Sequence, residues 1–76
     1  MKQDIQSIFG RRIKQIRESQ NLSQEKLAEL SDLDRTYISS IERGKRNISL
    51  NGIYALSKAL NVSLSEIFQN MEIPNE

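Results

Sequence analysis

Polar side chains suited to the edges of nucleic-acid bases are concentrated in one short stretch of this 76-residue sequence. Arg35, Thr36, Ser39 and Ser40 are spaced so that, on a helix beginning near Arg35, they lie on its outward side. Arginine can donate two hydrogen bonds to guanine O6 and N7, threonine can offer its methyl group to thymine, and serine can donate or accept. Taken without their surroundings, Arg35 and Thr36 would more readily be ordinary surface residues of a first helical turn.

A group of hydrogen-bond donors follows the same stretch and consists of Arg43, Lys45, Arg46 and Asn47. It leads to Ser49, where another helix is predicted to begin. Phosphates are bound by charged side chains, by amides and by the free N–H groups of helix N-termini. Gln24 lies where a phosphate would be met from the other side, and we expect Tyr37 to extend its hydroxyl in that direction. An aromatic residue at this spacing fills a core equally often, and basic loops occur in many proteins that bind nothing.

The spacing of apolar residues predicts five helices and no strands, which is an all-α fold in a single compact domain over residues 1–76. The expected N-caps are Asp4, Ser23, Asp34, Ser49 and Ser63, with Glu66 completing a capping box. The expected helix-ending residues are Asn21, Gly44, Asn61 and Pro74, with Asp32 in the bend between the second and third helices. Residues 1–3 are predicted to form a short arm and residues 73–76 a frayed tail. Gly10 suggests a close approach or a tolerated weak point in the first helix.

Composition excludes several classes of chemistry. The chain has no cysteine and no histidine, so disulfides, thiolate or imidazole metal sites and the usual cysteine and histidine catalysts are absent. We therefore expect no metal, no cofactor, no small-molecule ligand and no enzyme activity. No apolar run approaches the roughly 18 residues of a membrane span, which predicts a soluble cytoplasmic protein. The net charge is only +1, but basic residues gather around Arg35 to Asn47 while the charges after Val62 are all acidic; a merely solvated face is the alternative to a polyanion-binding one.

These features together resemble the Xre/Cro-type helix-turn-helix family, with its lambda-repressor-like fold, over roughly Phe9 to Phe68. The resemblance is carried by LSQEKLAEL, the turn SDLDR, the run YISSIERGKR and the later segment ISLNGIYALSKALNVSLSEIF. Within that family, LDRTYISSIERGKRNISL is most similar to the small controller proteins of restriction–modification systems. Two departures are Asp32, where the family often has glycine, and Arg35, Thr36 and Ser40, where phage repressors use glutamines. No phage operator is implied.

The resemblance also implies residue roles. It places Gln24, Tyr37, Arg43 and Asn47 on the sugar-phosphate backbone, and it places Arg35, Thr36, Ser39 and Arg46 at base edges. In related phage repressors an arginine of the first helix pairs with a glutamate late in the third. The matching residues here are Arg17 and Glu42, which we expect to form a partly buried ion pair.

The implied function is a homodimeric transcriptional regulator that binds double-stranded operator DNA and controls restriction–modification genes and its own promoter. Further possible partners are a second dimer on an adjacent DNA site and RNA polymerase. The predicted dimer interface is the C-terminal helix, through Leu64, Phe68, Met71 and Ile73, although Phe68 and Met71 could instead complete the monomer core. The rival function is an antitoxin-type interaction module that neutralises a toxin and regulates its own operon.

Overall fold

Five α-helices make up the computed structural model, which describes residues 4–69 and residue 71 and contains no strand within them. The helices are α1 (Ile5–Ser19), α2 (Gln24–Ser31), α3 (Arg35–Glu42), α4 (Leu50–Leu60) and α5 (Leu64–Phe68). The predicted all-α fold with five helices is confirmed. The expected N-terminal arm and the expected frayed tail fall outside the described residues.

The helix starts follow the predicted caps with one exception. The side chains of Asp4, Ser23, Ser49 and Ser63 each accept a backbone N–H from the first turn of their helix, and Ser63 and Glu66 form the predicted capping box. The prediction for Asp34 is wrong in this respect. Its backbone has the extended conformation of an N-cap, but its side chain makes no capping hydrogen bond. The Asp34 carbonyl accepts the first helical hydrogen bond of α3, from the Ile38 N–H over 3.0 Å.

The helix ends of α1 to α4 share one type of closure. Each is followed by a residue with left-handed backbone geometry, and these residues are Asn21, Asp32, Gly44 and Asn61. After α3, the Gly44 N–H donates to the Ile41 carbonyl and the Lys45 N–H to the Ser40 carbonyl, which is the Schellman arrangement. Asp32 takes the conformation with φ 60° and ψ 30°, so the turn that the family often builds with glycine is preserved.

The last helix is shorter than predicted. It ends at Phe68, because Gln69 has extended backbone dihedrals of φ −67° and ψ 137°. Helical spacing therefore does not continue to Met71, and the prediction that Leu64, Phe68 and Met71 share one helix face is wrong for Met71. Met71 is partly buried and packs against the core.

The hydrophobic core joins all five helices. Its fully buried side chains are Ile13, Leu27, Ile38, Ile41, Leu56, Leu60 and Ile67. The helix α1 packs closely on α3 at Gly10, where an added Cβ would overlap the carbonyl oxygen of Ile41 and lie 3.0 Å from that of Glu42. The close-approach interpretation of Gly10 is thus confirmed. The consequence is that α3 is held at a fixed depth against α1.

Candidate nucleic-acid interface

The helix α3 presents its predicted reading residues on the side away from the core. Ile38 and Ile41 are buried, while Arg35 and Thr36 are exposed at its first turn. Ser39 is half-buried, and so is Ser40, whose hydroxyl donates to the Thr36 carbonyl over 2.9 Å. That bond uses the only hydrogen of the Ser40 hydroxyl, so Ser40 can offer a base edge an acceptor but no donor.

The segment from Arg43 to Ser49, here called the α3–α4 loop, carries the remaining basic and amide side chains. Gly44 has φ +74° and lies so close to α1 that an added Cβ would be 2.8 Å from the Ser7 Cα. Asn47 accepts a 2.7 Å hydrogen bond at Oδ1 from Gln6 Nε2. The loop is therefore fixed against the first turn of α1. Gln6 and Asn47, which make one of these contacts, are 41 residues apart in the sequence.

Arg46 and Tyr37 form a stacked pair at the edge of this surface. The Arg46 guanidinium carbon lies 5.1 Å from the Tyr37 ring centroid, within the range of a cation–π interaction. The ring of Tyr37 is half-buried and also packs against the core. The core-packing alternative therefore describes part of the position of Tyr37, while the role of its hydroxyl in phosphate binding stays a prediction.

The other predicted phosphate-binding residues are exposed and differ in their contacts. Lys45 is exposed, and Arg43 is exposed with Nε donating to the Ser39 carbonyl over a long 3.4 Å. Ser49 accepts the Gly52 N–H at Oγ over 3.0 Å as the N-cap of α4, which leaves its hydroxyl hydrogen available. All three residues lie within the α3–α4 loop, Arg43 directly after α3 and Ser49 directly before α4.

A buried ion pair links α1 to the end of α3. Arg17 donates from Nε and Nη2 to the two carboxylate oxygens of Glu42 over 2.7 and 3.0 Å, and from Nη1 to the Leu22 carbonyl over 2.7 Å. The Arg17 and Glu42 side chains are 9% and 3% exposed. The hydrogen bond with Glu42 is the main reason that the pKa of Arg17 is raised above its ordinary value.

Gln24 takes part in the same network. Its Nε2 donates to Glu42 Oε1 over 3.0 Å, so the amide at the start of α2 is oriented by the ion pair behind it. One N–H of this amide is used in that bond, and the second remains for a phosphate. Phosphate binding stays a prediction for Gln24, and its link to Glu42 is a contact that the sequence did not indicate.

Two further residues connect distant helices and were not singled out from the sequence. Arg12 donates to the carbonyls of Ile67 and Glu66 over 2.9 and 2.6 Å, at the negative end of α5. Gln20 donates to the Leu60 carbonyl over 2.7 Å. The Arg12 guanidinium therefore reaches across from α1 to α5.

The predicted dimer-forming residues lie in different surroundings. Leu64 and Phe68 are 45% and 44% exposed, and the Phe68 ring also contacts Phe9 with 5.8 Å between centroids. Beside Phe68 an apolar pocket opens between α1, α4 and α5, lined in part by Ile5, Phe9 and Ile53. Met71 packs on the core as described above, and Ile73 lies outside the described residues.

Within the part of the chain that the structure describes, no helix is long and apolar enough to cross a membrane. The same residues hold no group of acidic side chains that could bind a metal ion, and the chain has no cysteine or histidine. The structure does bring together the helix pair α2 and α3, the exposed side of α3 and the basic α3–α4 loop, which α1 holds in place.

This combination is that of a helix-turn-helix protein, and the chain belongs to that family: the family model described as helix-turn-helix matches residues 13–67. More narrowly, the chain belongs with the controller proteins of restriction–modification systems. It is 50% identical over 76 residues to the control protein C.BamHI of Bacillus amyloliquefaciens, covering 99% of this chain and 94% of that protein.

Solved structures of controller proteins agree in fold. The chain is similar to C.AhdI from Aeromonas hydrophila, with a TM-score of 0.80 and 47% identity over 82% of this chain and 94% of that one. It is also similar to C.Esp1396I, crystallised as a tetramer with its natural 35-base-pair operator, with a TM-score of 0.84 and 38% identity over 91% and 92% of the two chains. The predicted family is confirmed, and the antitoxin alternative is not favoured.

Proposed function

We propose that this protein is a sequence-specific, double-stranded DNA-binding transcriptional regulator that acts as a homodimer and controls restriction–modification genes together with its own promoter. The observation that carries the proposal is the exposed first turn of α3, with Arg35 and Thr36 facing outward beside a loop of basic residues that α1 holds in place. The similarity of this chain to controller proteins supports a role in regulating genes, because one of those proteins was crystallised as a tetramer on its operator.

In this proposal the two sets of side chains have different tasks. Base edges are read by Arg35, Thr36, Ser39 and Arg46, with Ser40 contributing only an acceptor. The sugar-phosphate backbone is held by Gln24, Tyr37, Arg43, Lys45, Asn47 and Ser49. Stacking on Tyr37 limits the freedom of the Arg46 guanidinium before DNA arrives, so less side-chain entropy is lost on binding. Phosphate contacts then fix the register in which the α3 side chains meet the bases.

Dimerisation follows from the limited reach of one reading helix. A single α3 contacts too few bases for selectivity against a genome, whereas two copies related by a two-fold axis read half-sites about 34 Å apart. Exposed Leu64 and Phe68 offer the apolar surface for this pairing. A second dimer on a neighbouring site and contact with RNA polymerase are the further interactions that a regulator of its own promoter would use.

The test compares two arginine variants on operator and random DNA. Arg35→Ala is expected to weaken operator binding by about 1–3 kcal/mol and to relax base preference at one position. Arg43→Ala is expected to weaken both DNAs alike and to lower the salt dependence of log K by about one phosphate contact. The operator is first located by footprinting the DNA upstream of the protein's own gene.

Lys58→Ala provides the matched control. Lys58 is exposed and lies over the Tyr54 ring more than two turns beyond the start of α4, away from the α3–α4 loop. Its removal takes away one positive charge without touching the proposed interface, so operator affinity should change little. Equal losses on operator and random DNA for Arg35→Ala would rule out its role in reading bases.

A further inference from the structure

The first turn of α1 contacts the α3–α4 loop at two adjacent points. Gln6 Nε2 donates to Asn47 Oδ1 over 2.7 Å, and Ser7 packs so closely on Gly44 that a side chain there would overlap it. Gln6 is half-buried, whereas Asn47 is exposed. Gln6 therefore contacts a side chain that lies 41 residues later in the sequence and belongs to the proposed DNA-binding surface.

We propose that Gln6 is a positioning residue for DNA binding, which acts by fixing the orientation of the Asn47 carboxamide. This inference rests on the proposed function. Asn47 Oδ1 and Nδ2 lie in one plane on opposite sides of the Cβ–Cγ bond, so Nδ2 points away from α1 when Oδ1 accepts from Gln6. Both of its N–H groups are then available as donors to a phosphate oxygen, which can only accept.

The need for such a device comes from the symmetry of the asparagine side chain. The terminal torsion of asparagine is broad and roughly two-fold, so an unrestrained carboxamide presents its oxygen about as readily as its nitrogen. Only the orientation with nitrogen outward can bind a phosphate. A neighbour that donates, as Gln6 Nε2 does, selects that orientation before DNA binds, whereas a neighbour that accepts would select the opposite one.

The size of the effect follows from the cost of immobilising one side chain on binding. That cost corresponds to roughly a 2- to 10-fold change in Kd. Gln6→Ala is therefore expected to weaken binding to the operator by about this factor. Asn47→Ala removes a hydrogen bond to a charged group and is expected to weaken it further, by roughly 10-fold or more.

A double-mutant cycle separates positioning from a general structural role. Operator affinity is measured for the unmodified protein, Gln6→Ala, Asn47→Ala and the double variant, with thermal unfolding followed by circular dichroism for each. If Gln6 acts through Asn47, Gln6→Ala changes affinity in the unmodified background and has no further effect once Asn47 is alanine. Gln6→Met, which keeps the length of the side chain but cannot donate, should reproduce the result of Gln6→Ala.

Gln6→Glu reverses the polarity of the contact. A carboxylate at this position can only accept, so Asn47 turns its Nδ2 towards α1 and its oxygen towards the phosphate. We expect Gln6→Glu to bind more weakly than Gln6→Ala. Gln6→Glu in the Asn47→Ala background measures how much the added negative charge alone weakens operator binding. Any larger loss of affinity that Gln6→Glu causes when Asn47 is present is due to the changed orientation of the Asn47 carboxamide.

The outcomes distinguish this inference from the proposed function. If the unmodified protein shows no preference for its operator over random DNA, both fail. If it does prefer its operator, the positioning role of Gln6 is overturned by either of two results: an unchanged affinity for Gln6→Ala, or an equal loss with and without Asn47. A lower melting temperature of Gln6→Ala with unchanged affinity would likewise assign Gln6 to stability alone.

Discussion

Removing the positive member of the buried ion pair should destabilise the protein more than most single substitutions. Arg17→Met keeps a long apolar side chain in the same space and removes three hydrogen bonds, two to Glu42 and one to the Leu22 carbonyl. Glu42 is then left with a buried carboxylate, and among the residues that the structure describes only the Gln24 amide still donates a side-chain hydrogen bond to it. Its negative charge is no longer balanced in the interior.

The expected cost is set mainly by that unbalanced charge. Removing one partner of a buried pair costs about 3–5 kcal/mol, whereas a domain of this size is stabilised by roughly 4–11 kcal/mol in total. With a urea slope of about 1–3 kcal/mol per molar, the unfolding midpoint should fall by roughly 1 M or more. The variant Arg17→Met/Glu42→Leu removes both charges and should recover most of the loss, because an apolar replacement of a buried pair is often neutral or stabilising.

The assay is urea unfolding followed by far-ultraviolet circular dichroism, at one fixed protein concentration because dimerisation stabilises the folded state. Glu18→Gln is the control. Its carboxylate lies 3.9 Å from Arg17 Nη2 but is 58% exposed, so its loss should cost less than about 1 kcal/mol. If Arg17→Met were no more destabilising than Glu18→Gln, or if the double variant were no more stable than Arg17→Met, the unbalanced-charge explanation would be refuted.

Two further predictions concern α1 and α4. Gly10→Ala should destabilise by about 1–3 kcal/mol despite the better helix propensity of alanine, because its Cβ would overlap the rigid Ile41 carbonyl. Gly52→Ala should cost less in the same urea titration, since its new Cβ would meet side-chain atoms of Ile48 and Ser49 and no backbone atom among its nearest neighbours. The Ser7 N–H lowers the pKa of the Asp4 carboxylate, so this cap stabilises the fold fully above the ordinary aspartate pKa and is lost as pH falls through the lowered value. Asp4→Asn should therefore show a shallower fall in melting temperature on acidification, and an unchanged pH profile would contradict the role of the charge.

The helix boundaries could be predicted from the sequence because their chemistry is local. Ser23, Ser49 and Ser63 cap helices through backbone groups within three residues, and Asn21 and Asn61 adopt the left-handed geometry that asparagine tolerates. Where a boundary depends on tertiary packing, the same reasoning fails. The end of α5 at Phe68 was not predicted, and Met71 beyond it packs against the core.

The types of the candidate site residues could also be predicted, but not the contacts that orient them. Arg11 and Arg12 are adjacent and chemically identical, and only the packing of α5 on α1 decides that Arg12 reaches carbonyls 54 and 55 residues away. Likewise, glutamine is a common surface residue, so nothing in the sequence near Gln6 indicates Asn47 as its partner. Such contacts require knowing which face of α1 meets which element.

One face of α1 contacts the candidate interface at three points. Gln6, Gly10 and Arg17 are four and seven residues apart, so they lie along one side of the helix. They contact the α3–α4 loop, the backbone at the end of α3 and the Glu42 carboxylate, in that order. A tilt of α1 would therefore displace the α3–α4 loop and the end of α3 together. Because a bidentate contact to a base tolerates only small displacements, the base reading proposed for α3 would depend on a helix that itself carries none of the proposed base-reading residues.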